Sequence, residues 1–461
     1  MSGIDRTKKE EMMSLDTYDL VVIGAGTTGA YLARKMAARG HSVLVIDKLP
    51  KTKVGKKYDI FHIEAKEFDR LDIPRPVEGD PAWAFEFEKN YNADPLTRFP
   101  KCQINPMVGL HMHEYTLLLD SLAEEAGAKL LYSCEFLDFL YNDAGKICGV
   151  KAKYRGREKK IAAKLVADCS GMAAVGRTRL PDGYGVDNTP LTDEDMFYVI
   201  LKYVKLKHPE DYLEGSTFWA YYKAWIAPCA DPHGAIIGLG ACHSYEYAEQ
   251  VMAEMEKTVP LPEYDLVRIE KGRTPYTHNP YSMVADGFFV SGDAGNLTKS
   301  VNGEGVTSSM VQIQLAEDTL DSALRYNKVN RDYLWKINQA YNASQGAEFA
   351  LLRALLVGVV NAANFDEFQY AFESGIISDE LLNAMNGASI PPQTLLNAAK
   401  GFVGGIAGKK IRLSTVKAAG AALKNAVEIM NHYKRFPYNE AGYDEWVKKA
   451  DALYERIGKI N

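Results

Sequence analysis

The run Asp19-Leu20-Val21-Val22-Ile23, followed at once by Gly24-Ala25-Gly26-Thr27-Thr28-Gly29, constrains this chain more than any other feature. Five residues of buried-strand character lead into three glycines spaced G-x-G-x-x-G. A helical stretch from Thr28 to Arg39 follows, and Gly40 stands where a C-terminal cap glycine belongs. Gly24 permits the tight turn after the strand, and Gly26 lets backbone approach a pyrophosphate. Gly29 lets the helix pack close to the sheet, with its positive end facing the phosphates. A second strand over 42–47 ends at Asp47, where an acid can bond a ribose hydroxyl. Strand, glycine turn, helix, strand and acid form the first half of a doubly wound nucleotide-binding unit. A dinucleotide is expected here.

Composition removes several other classes. The 461 residues suggest ~three structural units, and a 47% hydrophobic content is enough to bury a sizeable core. Lys and Arg number 54 against 60 Asp and Glu, a net charge of −6, so the basic footprint of a nucleic-acid binder is missing. Cys102, Cys134, Cys148, Cys169, Cys229 and Cys242 form no CxxC pair, which argues against a zinc site and against a secreted disulfide scaffold. His111-x-His113 would set two imidazoles on one face of a strand, but no third ligand lies nearby in sequence, so no metal is expected. Gly401 to Lys410 looks superficially like a phosphate loop, but its glycine and Ser/Thr positions do not fit. Before Asp16 the chain is polar, with no apolar h-region, so no signal peptide is read. The most apolar stretch, Phe349 to Ala363, is interrupted by Arg353 and falls short of the ~20 residues of a spanning helix. The expectation is a cytoplasmic protein, with contact to the periphery of a membrane left open.

Further along, Trp83, Phe85 and Phe87 alternate as a one-faced strand would, and Glu114 to Gly127 reads as helix. Strands are expected near 129–140, 145–153 and up to 171, and the aromatic-rich stretch 195–240 suggests an inserted antiparallel sheet. After 296 the chain reads as almost wholly helical. Ser291-Gly292-Asp293-Ala294-Gly295, then Asn302-Gly303-Glu304-Gly305, leads into an apolar helix. Asp293 at a strand end can bond a ribityl hydroxyl. Gly303 and Gly305 at a helix N-terminus can bring N–H groups to the edge of a flavin ring, where negative charge develops on reduction.

With those residues in view, the chain resembles the geranylgeranyl reductase family of FAD-dependent oxidoreductases, within the flavoprotein hydroxylase-like superfamily. The first motif, Asp168-Cys169-Ser170-Gly171 with Arg177 beyond it, and GDAG…NGEG are similar to the three superfamily fingerprints. Val54 to Lys57, Phe68 to Leu71, Trp225-Ile226-Ala227-Pro228 and Tyr433 to Pro437 carry the likeness nearly end to end. The resemblance implies an α/β fold: a split Rossmann-like FAD-binding domain, an inserted antiparallel-sheet substrate domain and a C-terminal helical region. On that division a polar tail spans 1–16, the discontinuous FAD domain 17–75, 101–180 and 268–325, the sheet domain 76–100 and 181–267, and the helical region 326–461. It implies that Gly24, Gly26, Gly29 and Asp47 serve the ADP half of FAD and Asp293, Gly303 and Gly305 the ribityl and ring half, with Arg177 and Gly292 also among the cofactor-binding residues. It implies hydride transfer from reduced flavin to a carbon–carbon double bond of an isoprenoid-like lipid. With one nucleotide fingerprint present, NAD(P)H or ferredoxin would visit as electron donor.

Departures from the family pattern single out four more residues. Where relatives often carry Pro-Cys-Gly, this chain reads Tyr58-Asp59-Ile60, a carboxylate in place of a thiol. Ser300 replaces the proline usual before the last glycine motif, and Lys223 and Ala224 stand where aromatics are expected before Trp225. Asp59 with His62 is expected as a proton relay, Lys223 as an anchor for a substrate carboxylate or phosphate, and Trp225 as cavity wall. The amphipathic stretches 349–363 and 394–430 are expected to cap the sheet or to admit a lipid tail from a membrane surface. The alternatives are a flavin-dependent monooxygenase or halogenase acting on an aromatic, and a flavin-bearing electron carrier or lipid-binding protein.

Overall fold

The computed structural model describes residues 16–211, 215, 217–218, 223–384 and 391–460. Two eight-stranded sheets carry the fold. In the first, the strands Phe288–Val290, Arg157–Asp168, Asp16–Ile23, Val43–Asp47 and Lys129–Tyr132 lie parallel in that order. Parallel strands are covered on both faces, which is why Leu20–Ile23 and Val43–Ile46 read as unbroken apolar runs. Leu20, Val22 and Val45 face the helices Thr27–Ala38, Met112–Glu125 and Val306–Arg325. Val21, Ile23 and Ile46 face a second core with Phe139, Val166 and Phe288. A hairpin of Cys134–Tyr141 and Ile147–Tyr154 extends the sheet beside Arg157–Asp168.

The second sheet runs Tyr264–Pro275, Met196–Leu206, Gly234–Ala241, Lys223–Pro228, Thr217–Phe218, Trp83–Ala93, Lys101–His111, Ile60–Glu64. Its pairs are antiparallel, except where Thr217–Phe218 meets Asn92–Ala93 in parallel. Here the division of the chain differs from the sequence expectation. Ile60–Glu64 and Lys101–His111, expected in the nucleotide domain, belong to this sheet, because Ile60 pairs with His111 and Glu64 with Met107. Tyr264–Pro275 also straddles the boundary expected at 268. The chain thus crosses between the two sheets at Asp59 and again at Met112, so a residue near either crossing lies between the domains.

The last third is helical, as its period of 3.6 suggests. Arg331–Tyr341 continues through a wide turn at Asn342–Gly346 into Ala347–Ala362. Arg331–Ala362 is, among the described residues, one helical run long and apolar enough to cross a membrane by length and composition, with a third of its most apolar window buried. It exceeds the short stretch expected from the sequence because the helix begins at Arg331 and runs on through Asn342–Gly346; the Arg353 guanidinium within it lies 4.9 Å from the centre of the Tyr454 ring. Ala347, Ala350 and Ala354 pack against Ala426, Ile429, Tyr433, Trp446 and Leu453 of the helices Leu413–Tyr433 and Tyr443–Ile457.

Candidate active site

Three chain segments meet at the carboxyl ends of the parallel strands, where open α/β sheets bind their ligands. Gly24 turns the chain with φ +106°, and a Cβ there would fall 2.4 Å from the Cys169 carbonyl oxygen. At Gly29 a Cβ would fall 1.9 Å from the Gly24 carbonyl oxygen, so helix and turn can touch only without a side chain. Gly26 caps the helix and has no heavy atom within 4 Å of its would-be Cβ. The face of the turn that carries the helix N-terminus is therefore open. Asp47 braces the turn, accepting Ala25 N–H at 2.8 Å and Leu49 N–H at 2.7 Å.

Asp168 and the third motif close the cradle from the other side. Asp168 is fully buried and accepts N–H from Ser170 at 3.0 Å and Arg177 at 2.7 Å. Burial raises its pKa against the pull of those bonds. Ser291 N–H donates to the Asp168 carbonyl at 3.0 Å, and Gly292 (φ +70°) backs onto Thr28, 3.0 Å from its would-be Cβ. The first and third motifs therefore adjoin. Asp293 accepts Thr298 Oγ1 at 3.1 Å and lies 3.1 Å from a Cβ placed on Gly305, at the cap of Val306–Arg325. Burial raises this carboxylate, with Thr298 and Lys57 opposing. Gly303, at φ +75°, turns the chain just before that helix.

Arg177 sits among these groups without facing an open space. Its Nε donates to the Ala294 carbonyl at 2.8 Å, and Nη1 to the Asp187 and Thr189 carbonyls at 2.7 and 2.9 Å. It ties the Asp293 loop to 187–189, a positioning task within the cradle. Burial lowers its pKa, while Asp187 and Asp168 oppose that shift.

The loop between the two sheets supplies the remaining chemistry. Lys57 and Tyr58 feel Asp293, and burial pushes the lysine down and the phenol up. A Cβ on Gly272 would fall 1.2 Å from Tyr58 Oη, so the hydroxyl end of the ring sits over the strand Tyr264–Pro275. Next to it opens a cavity of about 550 Å³ lined by Gly55, Tyr58, Asp59, His111, His113, Arg268 and Glu270 among others. At its wall Asp59 Oδ1 accepts His111 Nδ1 at 2.9 Å, and Asp59 Oδ2 accepts Arg268 Nη2 at 2.5 Å. Glu270 accepts Arg268 Nε at 3.2 Å and Asp59 N–H at 3.3 Å, fixing both partners. Burial alone would lower Arg268, but Tyr203, Glu270 and Asp59 outweigh it and hold the guanidinium above its ordinary value.

The expected Asp59–His62 relay is not formed. His62 lies against Phe85 and Phe87, with ring centres 5.4 and 5.8 Å apart, and burial pushes it down to about 4. It is a neutral packing residue. His111 takes its place, brought to Asp59 by the Ile60–His111 register. Nor do His111 and His113 share a strand face: helix Met112–Glu125 begins between them, and His113 Nδ1 bonds the Val54 carbonyl at 2.5 Å. Trp225 covers Gly238, where a Cβ would fall 2.1 Å from its ring, and packs with Tyr58 against Phe85, Phe87 and Tyr203. That makes it wall. Lys223 pairs through its backbone with Gly240, and its side chain lies outside the described residues.

This cradle fits FAD. The open helix N-terminus at Gly26 suits a pyrophosphate. Asp47 keeps lone pairs for a ribose hydroxyl, and Asp293 Oδ2 is left for the ribityl chain. Known proteins agree. Residues 17–224 match the FAD binding domain family. A digeranylgeranylglycerophospholipid reductase of Sulfolobus acidocaldarius is 22% identical over 457 residues, 96% of this chain and 98% of the relative. The solved structure of a geranylgeranyl bacteriochlorophyll reductase-like protein from Thermoplasma acidophilum superposes with a TM-score of 0.70 at 17% identity, covering 84% of this chain and 96% of the other. A flavin-dependent brominase superposes with a TM-score of 0.60 at 16% identity, covering 84% and 98%.

Proposed function

We propose, for a chain that is an FAD-dependent oxidoreductase with the fold of the geranylgeranyl reductases, that it saturates carbon–carbon double bonds in the isoprenoid chain of a lipid. Bound FAD would supply a hydride to one alkene carbon. The single observation that carries the reading is a positioned proton source beside the flavin-side loop: His111, held by Asp59 at 2.9 Å on the wall of the cavity.

Reduction of an alkene needs a proton as well as a hydride, and these residues can deliver one. The Asp59 carboxylate can only accept, so it selects the His111 tautomer with hydrogen on Nδ1 and turns Nε2 away from itself. Protonated His111 carries hydrogen on both nitrogens and can give the Nε2 proton to the second alkene carbon. Asp59 keeps the ring oriented and stabilises its charge before transfer. Arg268 and Glu270 hold Asp59 in place and are positioning residues. On the cavity wall the Tyr58 ring and Pro81 supply apolar surface for a hydrocarbon chain, with Phe85, Phe87 and Trp225 packed behind Tyr58.

The support beyond geometry is the end-to-end likeness to a lipid reductase, which includes the helical third as well as the FAD domain. Electrons come from a visiting donor, NAD(P)H or reduced ferredoxin, and the donor that bleaches the bound flavin under nitrogen identifies itself. Mass spectrometry of a polyprenyl phospholipid incubated with holoenzyme and dithionite should show a gain of one hydrogen pair per reduced double bond. Unchanged lipid across short- and long-chain panels of allylic and isolated alkenes would refute the assignment.

A further inference from the structure

We propose that residues 391–427 form a docking surface for an anionic lipid bilayer; this rests on the reading of the substrate as a lipid and names the partner that presents it. Between Pro391 and Val427 lie Lys400, Lys409, Lys410, Arg412, Lys417 and Lys424, with no Asp or Glu. Six positive charges thus sit in one segment of a chain whose net charge is −6. Arg412 pairs with Glu367. The five lysines are exposed, and none forms an ion pair among the described residues.

The apolar side chains of the same segment point the wrong way for a soluble helix. In Pro392–Ala407 only Thr394 and Gly405 are buried, while Leu395, Leu396 and Val403 are 56%, 49% and 69% exposed. Residues 395, 396, 399, 402, 403 and 406 follow the helical period, so they form one stripe. On a globular surface such a stripe normally faces the core. Here Leu413, Leu423 and Val427 of the next helix, Leu413–Tyr433, are exposed as well.

The stripe is held outward by fixed contacts. Arg412 is clamped to Glu367 through both guanidinium and backbone nitrogens, and Tyr370 Oη donates to the Gly401 carbonyl at 3.1 Å. Gly358 lets Ala422 approach so closely that a Cβ there would fall 2.2 Å from the Ala422 methyl. A rigid, cationic, apolar-faced pair of helices suits one occupant: a bilayer whose acyl boundary takes the leucines and whose anionic headgroups meet the lysines. Such a surface would set the enzyme on the membrane that holds its lipid.

Holoenzyme should co-sediment with vesicles of phosphatidylcholine and phosphatidylglycerol, and much less with phosphatidylcholine alone. Leu395→Ser with Val403→Ser, and separately Lys409→Glu with Lys410→Glu, should each weaken vesicle partitioning by roughly tenfold or more. Both variants should keep the wild-type flavin spectrum and the wild-type turnover of detergent-dispersed lipid. Partitioning that is absent in wild type, or unmoved by both variants, overturns the proposal. So does a wild-type dimer on size exclusion that the Ser variants dissociate without any vesicle binding, since a second copy then covers the stripe. If the lipid reading itself fails, detergent turnover is lost while vesicle binding remains, so the two failures are told apart.

Discussion

Replacing Gly272 by alanine tests whether the flavin-side loop is held as described. The strand residue has no left-handed φ, so alanine costs nothing in backbone strain, and the whole effect must come from Tyr58. A Cβ at 272 would lie 1.2 Å from Tyr58 Oη and 1.9 Å from Cζ, so the end of the ring must move by roughly 2 Å to reach ordinary contact. The ring leaves its place against Ile60, Phe85, Phe87 and Tyr203. Overpacking of this kind costs about 1–3 kcal/mol. Asp59 follows Tyr58 in the chain, so its bonds to His111 and Arg268 are disturbed with it. A displacement of about 1 Å at such a site lowers turnover on the order of 10²-fold. The assay is a double-mutant cycle by urea unfolding, with Gly272→Ala, Tyr58→Ala and the pair, accompanied by turnover. With the ring removed, Gly272→Ala should cost less than about 0.5 kcal/mol. Additive costs, or full turnover in the single variant, would refute the reasoning.

Other substitutions separate binding from catalysis and from packing. Gly29→Ala sets a methyl 1.9 Å from the Gly24 carbonyl oxygen, which no side-chain movement relieves, so the purified protein should lack the flavin absorbance of wild type. Asp59→Asn and His111→Gln should keep FAD and lose turnover by ~10²-fold or more; unchanged rates in both would remove the proton source. Glu367 is lowered to about 2: burial raises it, but its bonds to Arg412, Asn364 and Thr415 prevail. It therefore adds stability above its ordinary 4.5, and that stability is lost as pH falls from 4.5 to about 2. Glu367→Gln should lower the melting temperature at pH 7, and the gap to wild type should narrow over that window.

The glycine turn and Asp47 were legible because their constraints are local: a turn, a close helix approach and a strand end all fall within thirty-odd residues. The pairing of Asp59 was not. His62 is its neighbour in sequence, but it lies on the strand Ile60–Glu64 beneath two phenylalanines. His111 is far along the chain and reaches Asp59 through an antiparallel register that no local spacing encodes. The same pairing moved Ile60–Glu64 and Lys101–His111 into the second sheet. The carbonyls that hold Arg177, at 187, 189 and 294, were not legible from its charge, since a buried guanidinium can spend its donors on carbonyls as well as on a phosphate. The helical third was legible in its period, but not in its direction. Periodicity marks an apolar stripe at 395–406 without saying that the stripe faces outward.

Hydride transfer to an alkene is the central claim, and an anaerobic flavin trace tests it most directly. Holoenzyme is reduced with dithionite under nitrogen, freed of excess reductant and mixed with a polyprenyl phospholipid while the flavin absorbance is followed. The account predicts that the oxidised spectrum returns without oxygen, and that it returns more slowly in His111→Gln. A flavin that stays reduced against every polyprenyl lipid until air is admitted would contradict it and move the chain to oxygen-using chemistry.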